Sequence, residues 1–137
     1  VESFPYGIKD DRLRQRVVTN MLNGVSGESG LPSTPGPSLQ ELRKLVAVVK
    51  RELPEVRTPA LVVHARDDDM TSPSNAEYLR ERLAGPVQVA LLDDCYHMIT
   101  VDRQRGEVVR RSLEFLAAET GALAAEPGAE IAAAGGS

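Results

Sequence analysis

Pro59-Ala60-Leu61-Val62-Val63-His64-Ala65-Arg66-Asp67-Asp68-Asp69-Met70 sets an unbroken apolar run directly against a cluster of charge. Residues 60–63 are short, apolar and rich in β-branched side chains, the pattern of a strand buried on both faces in a parallel sheet covered by helices. Working outward, Ser72 and Pro73 read as a helix cap and first helical residue. Ala76, Leu79 and Leu83 then form an apolar stripe that ends at Gly85. Residues 87–92 read as a second strand. A last helix is expected from near Asp102, with Val109, Leu113 and Leu116 at i, i+4 and i+7. Strands alternating with helices imply parallel pairing through helical crossovers, an α/β fold.

Upstream of the strand, residues 9–23 carry Leu13, Val17, Met21 and Leu22 at helical spacing. Asp10 and Asp11 lie where a first turn favours acids, and Gly24 is the expected stop. Residues 23–37, dominated by Gly, Ser and Pro, read as a long surface loop. A second upstream helix is expected from Ser38, capped through a Ser38/Glu41 box, with Leu39, Leu42, Val46, Val49 and Leu53 on the face that packs. From Gly121 to Ser137 the chain is rich in Ala and Gly without apolar periodicity and is expected to be a mobile tail.

Composition bounds the function. The 137 residues are 42% apolar and 26% charged, an ordinary globular balance. Acidic residues outnumber basic ones by 20 to 16, giving a net charge of −4 and arguing against a general nucleic-acid partner. No run approaches the roughly 18 apolar residues of a transmembrane segment. The single Cys95 forms no intrachain disulfide, which suits a reducing, cytoplasmic compartment. Two strands leave open edges that upstream sequence is expected to complete, and a start at Val1 hints at a piece of something longer.

Active groups of parallel α/β sheets gather beyond the carboxyl ends of the strands. There lie His64-Ala65-Arg66-Asp67-Asp68-Asp69-Met70 after the first strand and Asp93-Asp94-Cys95-Tyr96-His97 after the second. If the strands pair, a carboxylate from one loop can hydrogen-bond the imidazole of the other, fixing its tautomer and stabilising the imidazolium formed when it takes a proton. An alternative reading of the three aspartates as a divalent-metal site is weak, because adjacent carboxylates diverge and no EF-hand spacing is present. Cys95 fits a small buried thiol better than a nucleophile, since it does not sit on a strand-turn-helix elbow. His64, at the strand end, fits packing or loop bonding.

Residues 59–70 with Ser72-Pro73, followed by Tyr96-His97-Met98-Ile99-Thr100-Val101-Asp102, resemble the C-terminal half of an α/β-hydrolase of the carboxylesterase and monoacylglycerol-lipase group. The resemblance covers roughly residues 59–116. It implies the C-terminal portion of a parallel sheet flanked by helices and preceded by a helical cap: residues 1–37 as cap and loop, 38–120 as core, 121–137 as tail. It assigns His97 as general base and Asp68 as its carboxylate partner, the family acid usually having an apolar residue two places on, here Met70. Asp67 and Asp69 then read as solvated loop charges. The implied reaction is hydrolysis of a small-molecule acyl ester by a Ser-His-Asp triad, with no cofactor or metal. Amidase, thioesterase and lysophospholipase activities use the same triad and remain open. No GxSxG is present. Gly24-Val25-Ser26-Gly27 and Gly27-Glu28-Ser29-Gly30 are superficial likenesses with no preceding strand, so the serine is expected upstream, in the N-terminal half of the same hydrolase. A different class of function, a silent hydrolase-like module that pairs its open sheet edge with another polypeptide, also fits.

Overall fold

A computed structural model describes residues 6–23 and 35–125 of the chain. The expected stop at Gly24, the GxSxG likenesses and the part of the tail beyond Ala125 lie outside those residues.

Two parallel strands form the centre, β1 (Ala60–Ala65) and β2 (Val87–Leu92). They pair in unbroken register from Ala60 opposite Val87 to Ala65 opposite Leu92. The Arg66 amide extends the ladder to the Leu92 carbonyl at 2.8 Å, so both strands release their loops at one end. β1 is two residues longer than expected, and its first five residues are only half-buried. Burial on both faces, as the apolar run suggested, is met at Ala65 alone, because the described residues supply no further strand on its outer edge. Ala65, Leu92 and Cys95 form the buried cluster, flanked by Val63, Ile99 and Val108.

The helix that crosses from β1 to β2 runs Ser74–Arg82. Its amino end lies one residue later than the sequence pattern placed it: Pro73 precedes the first turn, while Ser72 Oγ still accepts the Ser74 amide at 3.2 Å. Gly85 lies beyond the helix end and serves a different purpose. A Cβ there would stand 2.3 Å from the Arg57 carbonyl oxygen, so only glycine lets the turn into β2 pass the chain entering β1.

In chain order, α1 is Asp11–Leu22, α2 is Gly36–Glu52, the crossover helix is α3 and the last helix, Arg105–Ala125, is α4. The Asp10 carboxylate caps α1 by accepting the Leu13 amide at 2.9 Å. Leu13, Val17 and Met21 are half-buried, but Leu22, read as part of the same stripe, points outward at 77% exposure. α2 starts two residues before Ser38, and the expected capping box is absent. The Pro35 carbonyl receives the Ser38 and Leu39 amides, Pro37 occupies the first turn where no amide partner is needed, and Glu41 pairs instead with Lys44 at 2.7 Å.

Both apolar stripes drawn on α2 and α4 need correction. Of Leu39, Leu42, Val46, Val49 and Leu53, only Leu53 is buried, in a single 3₁₀ turn (Leu53–Glu55) after α2. The carboxyl half of α2 meets α3 across an open groove lined by Val46, Val49, Tyr78 and Leu79. On α4, Val109, Leu113 and Leu116 are all more than half exposed. The helix packs through Val108 and Phe115 instead, two turns apart on a neighbouring face that lies against β1 and β2. α4 also begins at Arg105 rather than near Asp102, and it runs on through Ala125, five residues into the segment expected to be tail.

Candidate active site

The parallel register brings together two loops that are remote in sequence. Asp68 turns back on its own loop: its Oδ1 accepts the amides of Met70 and Thr71, both at 2.8 Å, and its Oδ2 accepts the Thr71 hydroxyl at 3.0 Å. From the loop after β2, 29 residues on, His97 Nδ1 lies 2.9 Å from Asp68 Oδ2 and 3.2 Å from Oδ1. The Asp68 side chain is 4% exposed and that of His97 is 40% exposed. A buried carboxylate thus anchors a ring that reaches the surface.

Burial by itself disfavours ionisation of Asp68. It is outweighed by the Thr71 amide, the His97 ring, the Met70 amide and the Thr71 hydroxyl, which together hold the carboxyl at about 2. Since an ionised carboxylate can only accept, the ring hydrogen sits on His97 Nδ1, and Nε2 is the nitrogen able to take a proton.

Asp102 builds the loop that carries His97. It is completely buried, and its carboxylate accepts four backbone amides: Lys9 at 2.7 Å and Tyr96 at 2.9 Å on Oδ2, Asp10 and Arg103 at 2.9 Å on Oδ1. Burial pushes its carboxyl up, and the amides prevail and hold it below the ordinary range. One side chain therefore ties the segment before α1 to the residue preceding His97.

Gly7 adds a second tie. Its amide donates to Asp69 Oδ2 at 2.9 Å and its carbonyl accepts the Met98 amide at 2.8 Å, so it links the acid loop to the histidine loop. Its φ is +75°, and a Cβ would stand 3.0 Å from His97 Cβ. Both observations require glycine. Lys9 completes the seam, 3.2 Å from Asp94, 3.7 Å from Asp67 and 5.5 Å from the centre of the Tyr96 ring.

Asp68 and His97, the residues singled out in the sequence, are thus in direct contact. Asp67 is a solvated charge beside Lys9. Asp69 is not: it is half-buried and held by Gly7. Cys95 is fully buried, and burial, followed by the charge of Asp102, pushes its thiol up to about 11, too weakly ionised to attack. His64 bonds its own loop, through Ala65 and Thr71. Thr71, Gly7 and Lys9 were not singled out in the sequence. Thr71 alone had a local signal, three residues after Asp68 where a loop carboxylate bonds back to the chain. Among the described residues no group of three His, Cys, Asp or Glu side chains could hold a metal ion, and no helix is long and apolar enough to cross a membrane.

Residues 33–104, which carry both strands and both loops, match the model of the serine aminopeptidase family S33. The chain belongs to this α/β-hydrolase family. Like this S33 hydrolase, a thermostable monoacylglycerol lipase of Bacillus sp. (strain H-257) shares 30% identity over 95 residues, which cover 69% of the chain and 38% of the lipase. A solved structure from work on LipS and LipT, two metagenome-derived lipolytic enzymes, superposes with a TM-score of 0.59 and 32% identity over 61% of the chain and 35% of its own. The S33 chain thus spans little more than a third of the length of either relative. It is a lipase- and esterase-like α/β-hydrolase chain with a small parallel sheet flanked by helices.

Proposed function

We propose that this chain supplies the acid and the base of a Ser-His-Asp triad that cleaves carboxylic esters of acyl substrates. The hydrogen bond of 2.9 Å between His97 Nδ1 and Asp68 Oδ2, at the carboxyl ends of two parallel strands, carries the reading. In the proposed reaction a serine from upstream sequence attacks the ester carbonyl while His97 Nε2 takes its proton. His97 returns that proton to the leaving alcohol, and a water then repeats the cycle on the acyl-serine. Asp68 holds the tautomer and stabilises the imidazolium. The lipolytic character of the two relatives favours esters over the peptide bonds that the family description names. Residues 1–37 serve as a cap over the acyl pocket, with Leu13, Val17, Met21 and Leu22 as candidate lining, of which Leu22 is 77% exposed.

The test uses this chain joined to its upstream, serine-bearing sequence. His97→Ala and Asp68→Asn are each expected to lower kcat by roughly four orders of magnitude, and full activity in His97→Ala would sink the assignment. The 137-residue chain alone is expected to resist a fluorophosphonate probe; stoichiometric labelling would place the nucleophile within it.

A second reading is supported by the exposed apolar outer sides of α2 and α4 and by sheet edges left unpaired among the described residues: a module that docks on another polypeptide. A strand-GxSxG-helix element in the upstream sequence favours the enzyme, and its absence favours the module.

A further inference from the structure

Two groups compete for the single hydroxyl hydrogen of Thr71. Thr71 Oγ1 lies 3.0 Å from Asp68 Oδ2 and 3.3 Å from His64 Nε2. The other nitrogen of His64, Nδ1, is 2.7 Å from the Ala65 carbonyl oxygen, which has no hydrogen to give, so Nδ1 carries one. Two hydrogen arrangements then remain. If Thr71 donates to Asp68, its oxygen can bond Nε2 only by accepting, which needs a hydrogen on Nε2 as well, 3.7 Å from Asp68 Oδ2. If Nε2 is bare, the Thr71 hydrogen turns toward it and Asp68 loses a donor.

The donor at stake acts on the oxygen that matters. Asp68 Oδ1 is pinned by two backbone amides, whereas Oδ2, the closer acceptor of His97 Nδ1, has Thr71 as its second donor. Without that hydroxyl the carboxylate can pivot about its pinned oxygen and swing Oδ2 away from the ring. His64 is enclosed, with its side chain only 14% exposed, so bulk water does not readily substitute.

We propose that Thr71 and His64 are positioning residues for the Asp68–His97 pair, the Thr71 hydroxyl aiming Asp68 Oδ2 at His97 and His64 directing which way that hydroxyl donates. The proposal rests on the triad reading above.

In the full-length hydrolase, Thr71→Val keeps the shape and removes the hydroxyl; kcat is expected to fall about tenfold with KM unchanged. Thr71→Ser should return kcat to within about twofold of the parent. His64→Phe is expected to change kcat in the parent but to add no further loss in the Thr71→Val background, because its effect passes through the hydroxyl. Parent-like turnover in Thr71→Val, failure of serine to rescue, or losses that multiply would each overturn the proposal. Ring ¹⁵N shifts of His97 in the full-length hydrolase supply a readout independent of turnover. The Nδ1–H tautomer is expected to dominate in the parent and in Thr71→Ser and to become mixed in Thr71→Val. An unchanged tautomer in Thr71→Val overturns the positioning role whether or not the enzyme is active. Retained turnover in His97→Ala overturns the triad reading instead.

Discussion

The loop end of the sheet and the outer sides of α2 and α4 are built on opposite terms. At the loop end, Asp68 and Asp102 have their oxygens met by donors from within the chain, and the segment before α1 comes back to close the seam. On the helices, Leu42, Val109, Leu113 and Leu116 lie more than half exposed. Polar groups bound to one another need no further partner, while apolar area left in water is worth burying at about 25 cal/mol per Å². The difference teaches that the Asp68–His97 pair finds its polar partners among the described residues, whereas the apolar outer sides of the helices do not find cover there.

Substitutions at the two places should therefore differ sharply in cost. Asp102→Ala strands four amides in a buried site and is expected to destabilise the chain by about 4 kcal/mol, measured by denaturant unfolding; a loss below about 1 kcal/mol would mean that the seam is ornamental. Acid should act next. The folded-state value of Asp68, about 2, lies below its ordinary 3.8. Its contribution, about 2 kcal/mol, is then fully present above pH 4 and is lost as the pH falls through 2. Unfolding curves between those limits should steepen for the parent and flatten for Asp68→Asn, and identical slopes would contradict the hydrogen-bonding account. Gly7→Ala, with its positive φ and its contact on His97 Cβ, should cost about 1–2 kcal/mol and shift the His97 ring resonances. At the other pole, Leu113→Ser is expected to change stability by no more than about 0.5 kcal/mol while lowering binding of a hydrophobic dye. A large destabilisation there would show that α4 is packed in solution and would dissolve the contrast.

The same contrast explains what was legible in the sequence. Alternation of strand and helix patterns placed β2 at its bounds and β1 at its start, because the apolar runs and the flanking prolines act locally. The rule that active groups sit beyond strand ends, together with the family resemblance, picked out Asp68 and His97. Periodicity marked the stripes of α2 and α4, yet it reports which side of a helix is apolar and not whether this chain supplies the cover. The Ser38 box failed because α2 starts two residues earlier and the Pro35 carbonyl took the Ser38 amide that Glu41 was expected to reach. Asp69 looked like its solvated neighbour Asp67, since its partner, Gly7, lies 62 residues away. Gly7, Lys9 and the four-amide environment of Asp102 have no local signature, and only the closed seam reveals them.

That seam also sets an order of events. β1 and β2 are separated by one helical crossover and can find their register early, but Asp102 takes the amides of Lys9 and Asp10 across 93 and 92 residues. Contacts of such span demand closure of nearly the whole described chain and come late in folding. During synthesis, Lys9 and Asp10 wait for Asp102 to emerge before they can dock. His97 therefore acquires its final setting only after the sheet that faces it already stands.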